Sequence, residues 1–167
     1  TRNMVRKAEK KGINIRVVDF NDTFIRGITE IFNETPVRQG YNFAHYGKTF
    51  ETVKHELSKD LHKKFFLGAY YGEELVGFSI LSNAGIFAVT NHFLCKVAHR
   101  DKATANGLMA KAVEVCGDRD IPYLVYGQWH ERSLGDFARN NGFEKIDLPR
   151  YYVPLTLKGK IAINLGI

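Results

Sequence analysis

Cysteine is scarce in this chain, with two residues, Cys95 and Cys116, among 167. Both sit inside apolar runs, which excludes a disulfide framework and reads as buried free thiols in a reducing, cytoplasmic setting. No apolar run approaches the roughly 20 residues of a membrane span, and no signal-peptide pattern opens the chain. Metal-binding patterns are missing too. The histidines at 45, 55, 62, 92, 99 and 130 form no HExxH, HxH or Cys/His pair at zinc spacing. Without a nucleophile elbow or a P-loop, neither a hydrolase triad nor that type of nucleotide cradle is indicated. Internal repeats and low-complexity segments are also absent.

What remains is a core and an excess of positive charge. A chain of 167 residues that is 44% hydrophobic can build one globular domain over residues 1–167. Its 24 basic and 18 acidic side chains leave a net charge of +6, which favours anionic partners such as phosphates, nucleotides or nucleic acid. The chain begins at Thr1 rather than Met, which leaves room for a fragment lacking upstream sequence.

Periodicity predicts a basic helix over residues 2–12, closed by Gly12, and a strand at "INIRVVDF". Asn21 and Asp22 can cap a helix that places Ile25, Ile28 and Phe32 on one face. The next segment, "TPVRQGYNFAHYGK", is a loop dense in polar aromatic residues. Thr49 can cap a helix with an apolar stripe of Phe50, Val53, Leu57 and Leu61. Strands follow at "KFFLGAYY", "ELVGFSILS" and "GIFAVTNHFLCKVA", the first two joined by a hairpin at Gly72. A helix carrying Ala105, Leu108, Met109, Ala112, Val115 and Cys116 stops at Gly117. After it come a strand at "YLVYGQW", a helix opened by a Ser133/Asp136 capping box and ended by Gly142, and a final strand at "EKIDLPRYYVPL". Hairpins mixed with crossovers predict an α/β fold around a mixed sheet, not a doubly wound parallel one.

The most informative stretch is "KVAHRDKATANGLMAKAVEVCG", where a strand runs through His99-Arg100-Asp101-Lys102 straight into a helix. A helix N-terminus presents open N–H groups and the positive end of its dipole. Small residues at Ala103, Thr104 and Ala105 let an anion approach the backbone as far as Asn106, and Arg100 and Lys102 add charge. The other reading is a helix capped by Asp101 or Thr104 with its cations in solvent.

The element order, together with "RDKATA", resembles the GNAT superfamily of N-acyltransferases. Their signature is Arg or Gln, two residues, Gly, one residue, then Gly or Ala, at the helix that receives the pyrophosphate of coenzyme A. Arg100 and Ala105 match, and Ala103 stands where glycine is usual. The resemblance implies a mixed, mostly antiparallel central sheet flanked by helices, with acyl-coenzyme A as co-substrate and no metal. The acyl group would pass directly to an amine on a small molecule or peptide, without a covalent enzyme intermediate. A narrower resemblance links the helix Arg6–Lys10 and the segment Ser133–Phe143 to the Fem family of peptidoglycan aminoacyltransferases. It implies aminoacyl-tRNA as an alternative donor, but the chain has only one GNAT-like unit and no helical-hairpin insertion. A third reading, from another class, is a GNAT-fold binding module without turnover.

Direct attack by an amine needs a base, an oxyanion donor and an acid near the leaving thiolate. A backbone N–H near Lys96 to Ala98 is expected as the oxyanion donor. Tyr126, at the end of the strand after the motif helix, is the first candidate acid, with Tyr151 and Tyr152 as rivals. His92 is the candidate base, while His99 beside the junction suits phosphate binding or capping. The loop residues Arg38, Gln39, Tyr41, His45 and Tyr46, together with Lys48, are expected to recognise the acceptor. Cys95 and Cys116 are expected to pack in the core.

Overall fold

A computed structural model describes residues 2–129, 133–149 and 151–165. Five strands form the central sheet in the order β1-β4-β5-β6-β7. They are β1 (Ile13–Val18), β4 (Lys64–Tyr71), β5 (Glu74–Asn83), β6 (Phe87–Cys95) and β7 (Tyr123–Val125). The first three pairings are antiparallel and β6 to β7 is parallel. A parallel pair needs a crossover, and helix α4 (Thr104–Gly117) supplies it. The α/β fold with a mixed, mostly antiparallel sheet is as the sequence predicts.

Each face of the sheet is covered by its own pair of helices. Helix α2 (Asp22–Asn33) begins where the Asn21 side chain accepts the Phe24 N–H at 2.9 Å. Helix α3 (Phe50–Leu57) begins at Thr49, which accepts from the Thr52 N–H. These caps satisfy donors that the first helical turn leaves open. The two helices bury Ile25, Ile28, Phe32 and Val53 against Phe66, Phe78 and Ile80 of the sheet. On the other face, α1 (Arg2–Lys10) and α4 pack over Leu67, Val76, Leu81 and Ala88 through Ala8, Leu108, Ala112 and Val115. Among the described residues no helix is long and apolar enough to cross a membrane.

Two expectations are corrected. The segment "TPVRQGYNFAHYGK" contains a small hairpin, β2 (Val37–Arg38) with β3 (Tyr41–Asn42). Gln39 and Gly40 turn it with φ of 54° and 82°, the two positive values that a tight hairpin turn requires. The predicted last strand, "EKIDLPRYYVPL", is irregular on both sides of residue 150. Pro149 and Pro154 remove ladder donors there, and Ile146, Leu148, Val153 and Leu155 stay exposed. Two further helices close the described chain, α5 (Ser133–Asn140) and α6 (Leu157–Asn164), the second not foreseen. The Ser133 side chain of the expected capping box and His130 lie outside the described residues.

Glycine matters most where α2 meets β5. A Cβ at Gly27 would lie 2.8 Å from both Cβ and Cδ2 of Leu75. The first of these atoms is fixed to the strand backbone. Gly27→Val should therefore force α2 off the sheet and lower stability by about 1–3 kcal/mol. Urea unfolding of the two proteins measures it, and an unchanged midpoint would contradict the contact.

Candidate functional site

Strands β6 and β7 pair over three residues only, Phe87 with Tyr123, Ala88 with Leu124 and Val89 with Val125. Strand β7 ends there while β6 runs on to Cys95, so beyond Val89 β6 has no ladder partner on that side among the described residues. A bulge helps to turn β6 at this point. Thr90 pairs with Leu81 and His92 with Ile80, which leaves Asn91 as an extra residue between them. Its side-chain amide donates to Ser82 Oγ at 2.5 Å.

At the far end of β6 the chain makes a 3-10 turn over Val97–Lys102 and then enters α4 through Ala103. Ala103 is left-handed, at φ 56° and ψ 27°. That is the region where glycine is at ease and L-residues are strained, which accounts for glycine in the signature. Ala103 is only 6% exposed and belongs to the core under α4, so its methyl group lies within the packed interior. The N–H groups of Asn106 and Gly107 both reach the Ala103 carbonyl, at 3.1 and 3.3 Å. Those of Thr104 and Ala105 belong to the first turn, which has no partners inside the helix. The Thr104 hydroxyl is buried without a hydrogen-bond partner.

The cations around this junction differ in their commitments. Arg100 is exposed and makes no ion pair among the described residues, and its charge is felt by the Arg38 guanidinium. Lys102 sits over the Tyr71 ring at 5.1 Å and within 3.4 Å of Asp101. His99 faces Glu74 at 3.4 Å. Asn106 donates to Asn141 Oδ1 at 3.4 Å, tying α4 to the end of α5.

Tyr126 follows β7 directly. Its ring packs among Phe93, Phe137 and Phe143, with centroids 5.5–5.8 Å away. It also lines a cavity of about 180 Å³ with Trp129, Leu134 and Ile146. Burial, then the neighbouring Cys95, raises the Tyr126 pKa above that of a free phenol. The Cys95 thiol is enclosed more completely, and burial pushes its pKa up to about 12. Cys116 is buried in the core under α4. Tyr151 and Tyr152 are 84% and 68% exposed, in the irregular segment.

On the opposite face the connection from α2 to α3 folds over β6. His45 stacks on Phe32 at 4.4 Å and meets His92 of β6 at 5.4 Å. Burial, followed by the charges of His45 and Lys64, lowers the His92 pKa to about 4. Burial and then Lys48 also lower that of His45. Lys48 is paired with Glu56 at 2.6 Å. Gln39, Tyr41 and Tyr46 are exposed along the loop.

Arg38 does not reach outward with these side chains. Its guanidinium donates to Glu34 Oε2 at 3.0 Å, to the Ile31 carbonyl at 2.9 Å and to the Cys95 carbonyl at 3.0 Å. Glu34 in turn accepts the N–H groups of Val97 and Ala98, at 2.7 and 3.0 Å. The Lys96 N–H goes to the Val76 carbonyl. All three backbone donors expected for an oxyanion are therefore engaged within the protein, because strand pairing and a carboxylate reach them first. Sequence reasoning missed Glu34. Its signal is the opposite charge four residues before Arg38, at the helix end.

No protein-family model matches the chain, and no curated protein does either. Among solved structures, a ribosomal-protein-alanine N-acetyltransferase from Brucella melitensis biovar Abortus 2308 is 18% identical. It matches with a TM-score of 0.59 over 85% of this chain and 98% of that one. An aminoglycoside acetyltransferase from an uncultured soil metagenomic sample, in complex with sisomicin, is 12% identical with a TM-score of 0.63. The match covers 88% of this chain and 99% of that one. The PaiA N-acetyltransferase of Thermoplasma acidophilum, in complex with coenzyme A, is 20% identical with a TM-score of 0.60. Here 82% of this chain and 92% of that one are covered. With no family model matching, the Fem resemblance of Arg6–Lys10 and Ser133–Phe143 stays without support. At these identities the likeness is one of architecture: this chain has the fold of the GNAT N-acetyltransferases.

Proposed function

We propose that residues 1–167 are an N-acyltransferase domain that passes an acyl group from acyl-coenzyme A to an amine. The observation that carries this reading is the junction where β6 parts from β7 and turns through left-handed Ala103 into α4, beside an Arg100 that has no ion pair among the described residues. The residues fit a pyrophosphate. The Ala103 methyl is packed inward, the Thr104 and Ala105 N–H groups belong to the turn that has no partners inside the helix, and the buried Thr104 hydroxyl has no partner among the described residues. Arg100, Thr104 and Ala105 would hold the anion, with Lys102, Ala103 and Asn106 shaping its rim. The thioester supplies an activated carbonyl when bound.

The acceptor amine, on a small molecule or peptide, would enter from the face carrying the 34–48 loop. Gln39, Tyr41 and Tyr46 line that approach. His92 is uncharged at neutral pH, so a ring nitrogen can accept a hydrogen bond from the attacking amine; with a pKa of about 4 it is a weak base and passes the proton on to solvent. Tyr126 is held protonated and can give its proton to the departing thiolate. As the new C–N bond forms and C–S breaks, one proton leaves the amine side and one arrives at sulfur. The two enclosed thiols suit a reducing, cytoplasmic setting. The exposed cations of α1 suit a hydrated helix face, and nothing in the fold favours a tRNA-borne donor over acyl-coenzyme A.

Three measurements test this reading. Coenzyme A at about 100 times its dissociation constant should add roughly 2.7 kcal/mol, a rise in melting temperature of about 5–10 °C. ATP should not match it, and Arg100→Glu should weaken it about tenfold. A flat titration, or an equal response to ATP, would remove the donor. With coenzyme A bound, Tyr126→Phe should keep the thermal shift and lose turnover on a panel of amines by about 100-fold. Equal turnover would remove Tyr126 as the acid.

The third concerns pH. His92 takes a proton near 6.5 when unfolded and near 4 when folded. Below 6.5 the unfolded chain binds more protons, so stability is full above that pH and declines as pH falls towards 4. The gap is worth up to about 3 kcal/mol. His92→Gln should flatten this part of a urea-unfolding series, and an unchanged slope would contradict a buried, neutral His92.

A further inference from the structure

The pair Glu34 and Arg38 joins parts of the protein that are remote in sequence. Glu34 follows the last residue of α2, and its carboxylate accepts two consecutive N–H groups that lie 63 and 64 positions further on. Val97 and Ala98 open the turn that leads to α4. The first N–H groups of such a turn have no partner within it. A carboxylate from another element satisfies both, with charge-assisted bonds that are stronger than neutral ones. Arg38 closes the arrangement by bonding the same carboxylate, a last-turn carbonyl of α2 and the carbonyl of Cys95. It also lies over the Phe43 ring at 5.0 Å.

The other end of the loop is tied as well. Asn33 accepts the Gly47 N–H at 2.7 Å and donates to the Lys48 carbonyl at 3.0 Å. Between the two ties lie Phe43 and His45, both packed on Phe32, with His45 against His92. The loop is thus held to α2 at one end and to the last residues of β6 at the other. Of these ties, only the Glu34–Arg38 pair connects the loop to the strand that bears His92.

We propose that Glu34 and Arg38 are a positioning pair, fastening the loop that carries His45 to the end of β6 and so fixing His45 against His92. The two residues touch no reacting atom. They act through the loop, setting how closely it covers the β6 face. The inference rests on the acyl-transfer reading only in naming that face the acceptor side. It also gives Arg38 a different task from the ligand recognition its sequence context suggests.

The test is histidine-ring NMR of the whole chain across pH 3–8, with the His45 and His92 signals assigned from His45→Gln and His92→Gln. The proteins compared are the parent, Glu34→Gln, Arg38→Met and a control, Val115→Ala, which loosens the core on the opposite face. In the parent, His92 should titrate near 4. Releasing the loop should raise that midpoint by at least one pH unit in Arg38→Met and in the same direction in Glu34→Gln, with His45 following. Val115→Ala should melt earlier and leave both midpoints in place.

Midpoints that stay put in the folded pair variants, or that move equally in Val115→Ala, would overturn the proposal. If Arg38→Met does not fold, Glu34→Gln decides, since it keeps a carbonyl oxygen for one N–H bond. Coenzyme A titrated into the same samples separates the two readings. A parent that ignores coenzyme A but shows the histidine response loses the acyl donor and keeps the pair. Coenzyme A binding with unmoved histidines keeps the donor and removes the pair.

Discussion

The separation of β6 from β7 is the constraint on which the other features of the site depend. Two parallel strands held by three residue pairs cannot stay together once one of them stops at Val125 and the other is bent by an extra residue at Asn91. Beyond Val89 that edge of β6 is left without a ladder partner among the described residues. Tyr126, the next residue after β7, packs its ring on Phe93 there. His92 falls on the opposite face because the strand alternates, with Phe93 packed beneath α4 and Leu94 beneath α2. Tyr126 and His92 thus flank β6 from opposite faces of the sheet.

The electrostatics follow the same division. Around the junction Lys96 pairs with Glu74 and Lys102 with Asp101, and His99 lies against Glu74. Among the described residues Arg100 has no acidic partner. Beneath the loop, burial acts on His92 and His45 without a carboxylate close enough to reverse it, since Glu56 is held by Lys48. Desolvation disfavours the charged form of a base, and neighbouring cations push the same way. The junction therefore carries an exposed cation, while burial under the loop holds the histidine pKa values down.

Much of this was legible in the sequence because it is local. Helix caps at Asn21 and Thr49, the strand alternation and the abrupt strand-to-helix passage at Arg100 all depend on residues within a few positions of one another. What could not be read is what depends on distance. Nothing near Glu34 says that it will meet Val97, and Arg38 looks like a loop cation until the fold brings the Cys95 carbonyl to it. The "EKIDLPRYYVPL" segment misled for a related reason. Its β-branched and aromatic residues suit a strand, but a strand needs an edge to pair with, and two prolines withdraw donors from that pairing.

Ala103 brings the local and the distant together. Left-handed backbone costs an L-residue about 1–2 kcal/mol, and glycine would be free of that strain. Glycine would also lack the methyl group packed under α4, worth about 0.8 kcal/mol for each carbon taken from water. It would leave a more flexible unfolded chain, which weighs against folding by a further 0.4–1 kcal/mol or so. These contributions nearly cancel. An alanine whose methyl turns into the core can thus stand where glycine is usual, and the start of α4 keeps its backbone free of that side chain.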